Sequence, residues 1–187
     1  MNLCHRILCR SGAWRQTLEA KIFPWVFEGV DLRGEVLDIG PGPGLTTDLL
    51  RSRVDQLTVV EIDPSLAASL TLRMAGTNVI VLQQDATAMQ IPSASFDGAV
   101  CFTMLHHVPS PALQDKLIHE VARVLRPGAF FAGYDSLFRS WFDPAHLFDT
   151  NVPIDPEMFP GRLRSAGFEN ITIQTKRHGF RFIAQKP

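Results

Sequence analysis

Val36-Leu37-Asp38-Ile39 runs directly into Gly40-Pro41-Gly42-Pro43-Gly44, and a helical pattern opens at Leu45. A short strand-like run that stops on three alternating glycines has to turn sharply. With the side chains stripped away, main-chain N–H groups at the start of the next helix can approach a ligand closely. A junction of this kind points to a sheet whose strands alternate with helices, and to a site for a nucleotide-like ligand.

The rest of the chain keeps that alternation. Strand patterns fall at residues 36–39, 56–62, 78–83, 98–103 and 129–134, and helical patterns at 45–53, 64–74 and 112–125. Short Val-, Ile- and Phe-rich strands separated by helices predict βαβ units and a parallel sheet covered on both faces. With right-handed crossovers this is an α/β, Rossmann-like doubly wound fold. Residues 156–166 read as a helix stopped by Gly167, followed by strands at 169–176 and 180–186. The link Arg177-His178-Gly179 is so short that these two strands must be antiparallel neighbours. The expectation is a seven-stranded, mostly parallel sheet with a C-terminal antiparallel hairpin.

Before the first strand, Ser11 is placed to cap a helix over residues 13–23, with Pro24 ending or kinking it. Trp14, Leu18, Ile22 and Trp25 recur at helical spacing and predict the face that packs on the domain. Residues 1–10 read as a loose tail. The whole chain of 187 residues is expected to be a single domain. Its parts are an N-terminal helical cap at 1–29, a ligand-binding core at 30–135, and an outer loop, helix and hairpin at 136–187.

Composition narrows the function. Eighteen Lys and Arg stand against 19 Asp and Glu, for a net charge of −1. No broad basic field is available to hold a nucleic-acid backbone, so a small-molecule substrate is expected and nucleic acid is not. No apolar run is long enough to span a bilayer. Polar residues around Arg6 and Arg10 break up what would be a signal-peptide core. Cys4, Cys9 and Cys101 cannot form a complete disulfide framework, which favours a reducing, cytoplasmic setting. Cys4 and Cys9 lack a matching Cys/His pair, so no metal is expected, and Cys101 reads as a small core residue. A homodimer is compatible with the sequence.

Two further ligand groups follow the glycine turn at the intervals a doubly wound sheet requires. Glu61 ends the second strand about twenty residues past Gly40, where a carboxylate can accept hydrogen bonds from both hydroxyls of a ribose. Asp85-Ala86 follows the third strand, where an acidic side chain and a backbone N–H can read an adenine edge. A dinucleotide fingerprint places glycines first, third and sixth. Here the sixth position is Leu45, and the glycines fall first, third and fifth.

In these residues the chain resembles the class I S-adenosylmethionine-dependent methyltransferases, in their small-molecule branch. The resemblance is carried by Val36 to Gly44, Val60-Glu61-Ile62-Asp63, Gln84-Asp85-Ala86, Phe96-Asp97-Gly98-Ala99-Val100, Leu105-His106-His107-Val108 and Arg123-Val124-Leu125-Arg126-Pro127-Gly128-Ala129. It covers roughly residues 30–135. By that resemblance the cofactor is S-adenosylmethionine. Asp38 and the turn Gly40, Pro41, Gly42 and Gly44 hold its amino-acid end. Glu61 binds the ribose, Ile62 packs on adenine, Asp85 and Ala86 receive the adenine edge, and Phe102 and Thr103 line the methionine side. Pro41 and Pro43 depart from a flexible turn, because proline fixes φ and removes a donor.

Methyl transfer from a sulfonium is an in-line displacement whose leaving group departs neutral. Alignment supplies much of the rate gain, since well-oriented intramolecular reactions reach about 10⁵–10⁸ M effective molarity. A base is needed only where the acceptor must lose a proton. His106 and His107, just after the fourth strand, are the candidates, and their imidazoles titrate in the useful range. Each also has a purely structural reading, as a cap or a packed ring. Neighbouring residues do not easily face one pocket, so one at most acts as base.

Other features have plainer readings. Asp135 orients substrate or caps a loop, and His146 reads as a surface loop residue. Leu137, Phe138, Trp141, Phe142, Leu147 and Phe148 crowd one connection, which suggests a lid or acceptor pocket for an apolar or aromatic molecule, or else a short helix packed on the core or a protein-protein contact. Arg162, Arg164, Lys176, Arg177 and Arg181 read as a solvated face. Arg126-Pro127-Gly128 reads as a turn, Asp63-Pro64 as a helix start, and Asp97 as structural. The expected function is methyl transfer to an O, N or C atom of a small molecule. The alternatives are an NAD-dependent oxidoreductase, or a non-catalytic cofactor-binding protein of the same fold.

Overall fold

The computed structural model describes residues 11–137 and 150–187. The predicted tail at residues 1–10, Cys4, Cys9, and, from the predicted connection, Phe138, Trp141, Phe142, His146, Leu147 and Phe148 lie outside the described residues.

Seven strands form one sheet among the described residues: β1 (Glu35–Ile39), β2 (Gln56–Glu61), β3 (Val79–Gln83), β4 (Phe96–Phe102), β5 (Leu125–Ser136), β6 (Glu169–Lys176) and β7 (Gly179–Gln185). Their spatial order is β3-β2-β1-β4-β5-β7-β6. β1 pairs in parallel with both β2 and β4, while β5–β7 and β7–β6 are antiparallel. The expected parallel sheet with a terminal antiparallel hairpin is what the chain forms. The chain leaves β1 toward β2 on one side and returns to β4 on the other. The crevice at the carboxyl end of β1 is therefore the switch point at which open α/β sheets bind ligands.

The connections are α3 (Leu45–Leu50), α4 (Pro64–Met74), α5 (Pro111–Val124) and α6 (Phe159–Ser165), preceded by α1 (Gly12–Thr17) and α2 (Phe23–Val26). Start signals in the sequence are realised as caps. Asp63 accepts from the Ser65 and Leu66 amides with Pro64 in the first turn, Ser110 accepts from Leu113, and Ser11 accepts from Trp14.

Burial of both sheet faces produces two apolar layers. One holds Leu37, Ile39, Leu117, Ile118, Val121, Phe159, Phe180 and Phe182 beneath α5 and α6. The other holds Val36, Leu57, Val59, Leu70, Phe23 and Phe102 beneath α1–α4. Cys101 is buried and burial pushes its thiol well up, so it is the inert core residue expected.

Four local expectations change. Arg181, read as part of a solvated face, is buried and pairs with Glu28 at 3.1 Å. Pro24 does not end the helical run, though the run is irregular just before it. A π-helical stretch at Leu18–Ile22 carries the chain into α2, where Pro24 sits in the first turn and needs no N–H partner. The helix expected over 156–166 spans only Phe159–Ser165. Arg126-Pro127-Gly128 is not a turn but part of β5, at a register shift where Leu125 faces Phe96 and Phe130 faces Gly98. The bulge gives Arg126 a use, since it reaches Asp97 at 2.7 Å and Glu35 at 2.5 Å. Asp97 also accepts from the Glu35 amide at 2.9 Å, so it ties the starts of β1, β4 and β5 together, a structural role as expected.

Candidate functional site

At the carboxyl ends of β1, β2 and β4 lies a cavity of about 320 Å³. Its wall includes Gly40, Gly42, Glu61, Ile62, Asp85, Ala86 and His107. These residues come from four segments far apart in sequence, and the sheet brings them to one crevice. The volume lies within the range of small-molecule sites. A wider cleft of about 780 Å³ opens at the amino-terminal ends of the strands, around Arg33, Asp97 and Arg126. It collects none of the predicted site residues and its main charged groups pair with one another, so the smaller cavity is the candidate site.

The glycine turn is built as its sequence demands. Gly40, Gly42 and Gly44 have φ values of +60°, +57° and +83°, a region that a side chain disfavours. A Cβ on Gly40 would meet the Met104 side chain at 2.4 Å, so this glycine keeps the cavity floor open. Gly44 serves packing instead, because its Cβ would lie 2.2 Å from Leu70 of α4. The Gly42 amide donates to Glu61 Oε2 at 3.0 Å, and the Asp63 amide donates to Oε1 at 2.9 Å. Glu61 is nearly buried, and that burial raises its carboxyl above the ordinary range against the pull of these donors.

Asp38 sits beneath the turn at 1% exposure. Its Oδ2 accepts from the Thr47 hydroxyl at 2.9 Å and the Thr46 hydroxyl at 3.3 Å, while Oδ1 has no hydrogen-bond partner. Burial pushes this carboxyl up to about 7. A buried carboxyl with one unsatisfied oxygen is costly unless a cationic group or an ordered donor completes it. Asp38 lies behind the cavity wall rather than on it, and a positively charged amino-acid end is the chemistry that would complete its open oxygen. Asp85 accepts from the Thr87 amide at 2.8 Å, which orders the loop after β3.

The other predicted residues are placed as follows. Pro41 and Gly44 stand in the turn but outside the cavity wall, with the Gly44 amide donating to the Pro41 carbonyl at 3.0 Å. Phe102 does not line the cavity. Its ring lies 4.9 Å from Phe23 and 5.9 Å from Phe27, within the layer under the N-terminal helices. β4 alternates its side chains between the two faces, and Phe102 falls on the far one. Thr103 has φ +49° and donates its amide to the Tyr134 carbonyl, also outside the wall.

The two histidines part company. His106 is buried, and its Nδ1 lies 2.5 Å from Asp135 Oδ1. Asp135 is itself buried and accepts from the Ser136 and His106 amides, so it caps the turn after β4, as one of its two expected readings had it, and braces that turn against the end of β5. His107 is on the cavity wall, with its Nδ1 3.1 Å from the Thr150 carbonyl.

Sequence reasoning missed several contributors. Met104, Thr87, Leu113, Leu117 and Thr150 line the cavity. Arg73 on α4 clamps the glycine turn: Nη2 donates to the Pro43 carbonyl at 2.8 Å while Nη1 pairs with Asp48. Glu120 and Arg123 of α5 hold the loop after Asp85 through the Met89 amide and the Met89 and Ile91 carbonyls. The helical spacing of Leu113, Leu117 and Glu120 was the only hint.

Residues 37–133 match the methyltransferase domain family. The ubiquinone biosynthesis O-methyltransferase of Stutzerimonas stutzeri (strain A1501) is 33% identical over 108 residues, 56% of this chain and 45% of that protein. The protein of the same name from Xanthomonas oryzae pv. oryzae (strain PXO99A) is 34% identical over 110 residues, 56% of this chain and 44% of its own. The chain thus spans less than half the length of these curated relatives. The structure of a SAM-dependent methyltransferase from Aquifex aeolicus superposes with a TM-score of 0.76 at 17% identity, covering all of both chains, which speaks for the fold.

Proposed function

This chain belongs to the methyltransferase domain family, in the class I branch defined by S-adenosylmethionine, and from that premise we propose that it methylates a hydroxyl oxygen of a small, largely apolar or aromatic molecule. The observation that carries this reading is one cavity walled by Gly40, Gly42, Glu61 and Asp85 and bordered, among the described residues, by a single imidazole, His107. The relatives named as O-methyltransferases favour oxygen over nitrogen or carbon. The glycine spacing, which lacks the dinucleotide sixth position, opposes the NAD alternative.

In this reading Glu61 holds the ribose hydroxyls, Asp38 the ammonium group, Asp85 and Ala86 the adenine edge, and Ile62, 64% exposed, covers the adenine face. S-adenosylmethionine supplies an electrophilic methyl carbon whose leaving group is neutral. The chain's own residues align the acceptor and take its proton. A carbonyl can only accept, so the contact with Thr150 puts the His107 proton on Nδ1 and leaves Nε2 as the basic atom of the neutral ring. Met104, Leu113 and Leu117 give the cavity an apolar wall that keeps water from the reacting atoms.

Two measurements test the proposal. Calorimetry with S-adenosylhomocysteine should show binding that Glu61→Ala weakens at least tenfold, about 1.4 kcal/mol. Methyl transfer from labelled S-adenosylmethionine to catechol should fall roughly 10²- to 10⁴-fold in His107→Ala with cofactor affinity retained. Binding without transfer to any of a panel of phenols, amines and enols would leave the non-catalytic reading standing.

A further inference from the structure

The chain re-enters the described structure at Thr150 against the turn Leu105–His107, and a set of hydrogen bonds fastens it there. The Val152 amide donates to the His106 carbonyl at 2.7 Å. Gln114 Nε2 donates to the Val152 carbonyl at 2.8 Å and to the Leu105 carbonyl at 3.0 Å. His107 Nδ1 lies against the Thr150 carbonyl at 3.1 Å. Two residues beyond Val152, Ile154 is buried in the core.

Gln114 is the unusual member. It lies on the core face of α5, is 0% exposed, and has no apolar character to justify that place. Its Oε1 has no hydrogen-bond partner, so burial leaves a polar atom unsatisfied. Both donors of the amide are used, and both go to carbonyls on the two sides of the latch. An apolar residue would fill this space with no orphaned oxygen. What the glutamine adds is a bridge between the turn after β4 and the segment carrying Thr150.

We propose that Gln114 is a positioning residue for His107. By pinning Val152 to Leu105, it fixes the Thr150 carbonyl beside the imidazole, and that carbonyl holds the ring in the Nδ1–H tautomer with Nε2 basic. The proposal rests on the reading of His107 as the base. Gln114 touches neither cofactor nor acceptor.

The test uses the whole chain with ¹⁵N-labelled histidine. In mildly alkaline buffer, nitrogen shifts should report His107 in the wild type as a single Nδ1–H tautomer. Gln114→Met keeps the side-chain length and removes both donors. It should give a mixture of tautomers at His107, leave the His106 signals in place, and keep S-adenosylhomocysteine affinity within about twofold. Its kcat with catechol should fall roughly ten- to a hundredfold, the scale of a small misplacement of a reacting group. An unchanged His107 tautomer in Gln114→Met would overturn the proposal, because a purely packing role predicts that result. If that variant fails to fold, the wild type still decides: the Gln114 side-chain amide protons should exchange slowly and show contacts to Val152, and rapid exchange would overturn it. The tautomer reading needs no acceptor. Loss of methyl transfer as a function would therefore show separately, as wild-type enzyme that leaves catechol untouched with its His107 signal as expected.

Discussion

Asp135 Oδ1 lies 2.5 Å from His106 Nδ1, and both side chains are essentially removed from solvent. This contact joins the end of β4 to the end of β5 one residue before the histidine that faces the cavity. Asp135→Ala takes the carboxyl acceptor away from a buried imidazole and should cost about 1.5–3 kcal/mol in urea unfolding. His107→Ala should change unfolding by less than about 1 kcal/mol while removing most methyl transfer. Equal stability losses in the two variants would remove the division of labour between the neighbours.

Asp38 gives the ligand-free protein a pH dependence with a definite sign. Its folded carboxyl sits at about 7 against an ordinary 3.8, so the folded state holds the proton more tightly than the unfolded one. The stabilising effect is fully present below about pH 4 and is lost as pH rises toward and through about 7. Glu61, also raised, adds a slope of the same sign. Stability from urea titrations should therefore fall by a few kcal/mol across this window, and Asp38→Asn should flatten much of the fall. A wild-type slope no steeper than that of the variant would contradict it.

Arg73 links α4 to the carbonyl of Pro43, so the stiffness of the turn is set partly from outside it. Arg73→Ala should weaken S-adenosylhomocysteine binding about three- to tenfold in calorimetry, with about 1 kcal/mol or less of stability lost. Unaltered affinity would show that the two prolines stiffen the turn alone.

Gly44 separates backbone need from ligand need. Its φ is left-handed, and a Cβ there would stand 2.2 Å from a Leu70 methyl, so Gly44→Ala should lower stability by about 1–3 kcal/mol. Gly40→Ala carries a similar left-handed backbone cost at φ +60° and also sets its Cβ 2.4 Å from Met104 on the cavity wall, so it should lower cofactor affinity as well as stability, and affinity by more than Gly44→Ala does. Thermal unfolding with and without S-adenosylhomocysteine distinguishes the two, and the reverse ranking would refute the assignment.

Local chemistry was enough to place the strands, the terminal hairpin and two acids, Glu61 and Asp85, that line the cavity. Strand periodicity, the glycines at 40, 42 and 44 and the spacing to Glu61 and Asp85 each act within a few residues or at intervals set by βαβ units. What the amino-acid order left open was decided by contacts between distant segments. His106 and His107 are equivalent as neighbours in a chain, and it is contacts with Asp135 on β5 and with Thr150 that make one a brace and the other a wall of the cavity. Phe102 turns to the far face because Phe23 and Phe27 wait there. Arg126 is an anchor because a bulge in β5 carries it to Asp97 and Glu35. Such roles arise from burial and hydrogen-bond partners that exist only after the sheet has closed, and no local pattern encodes them.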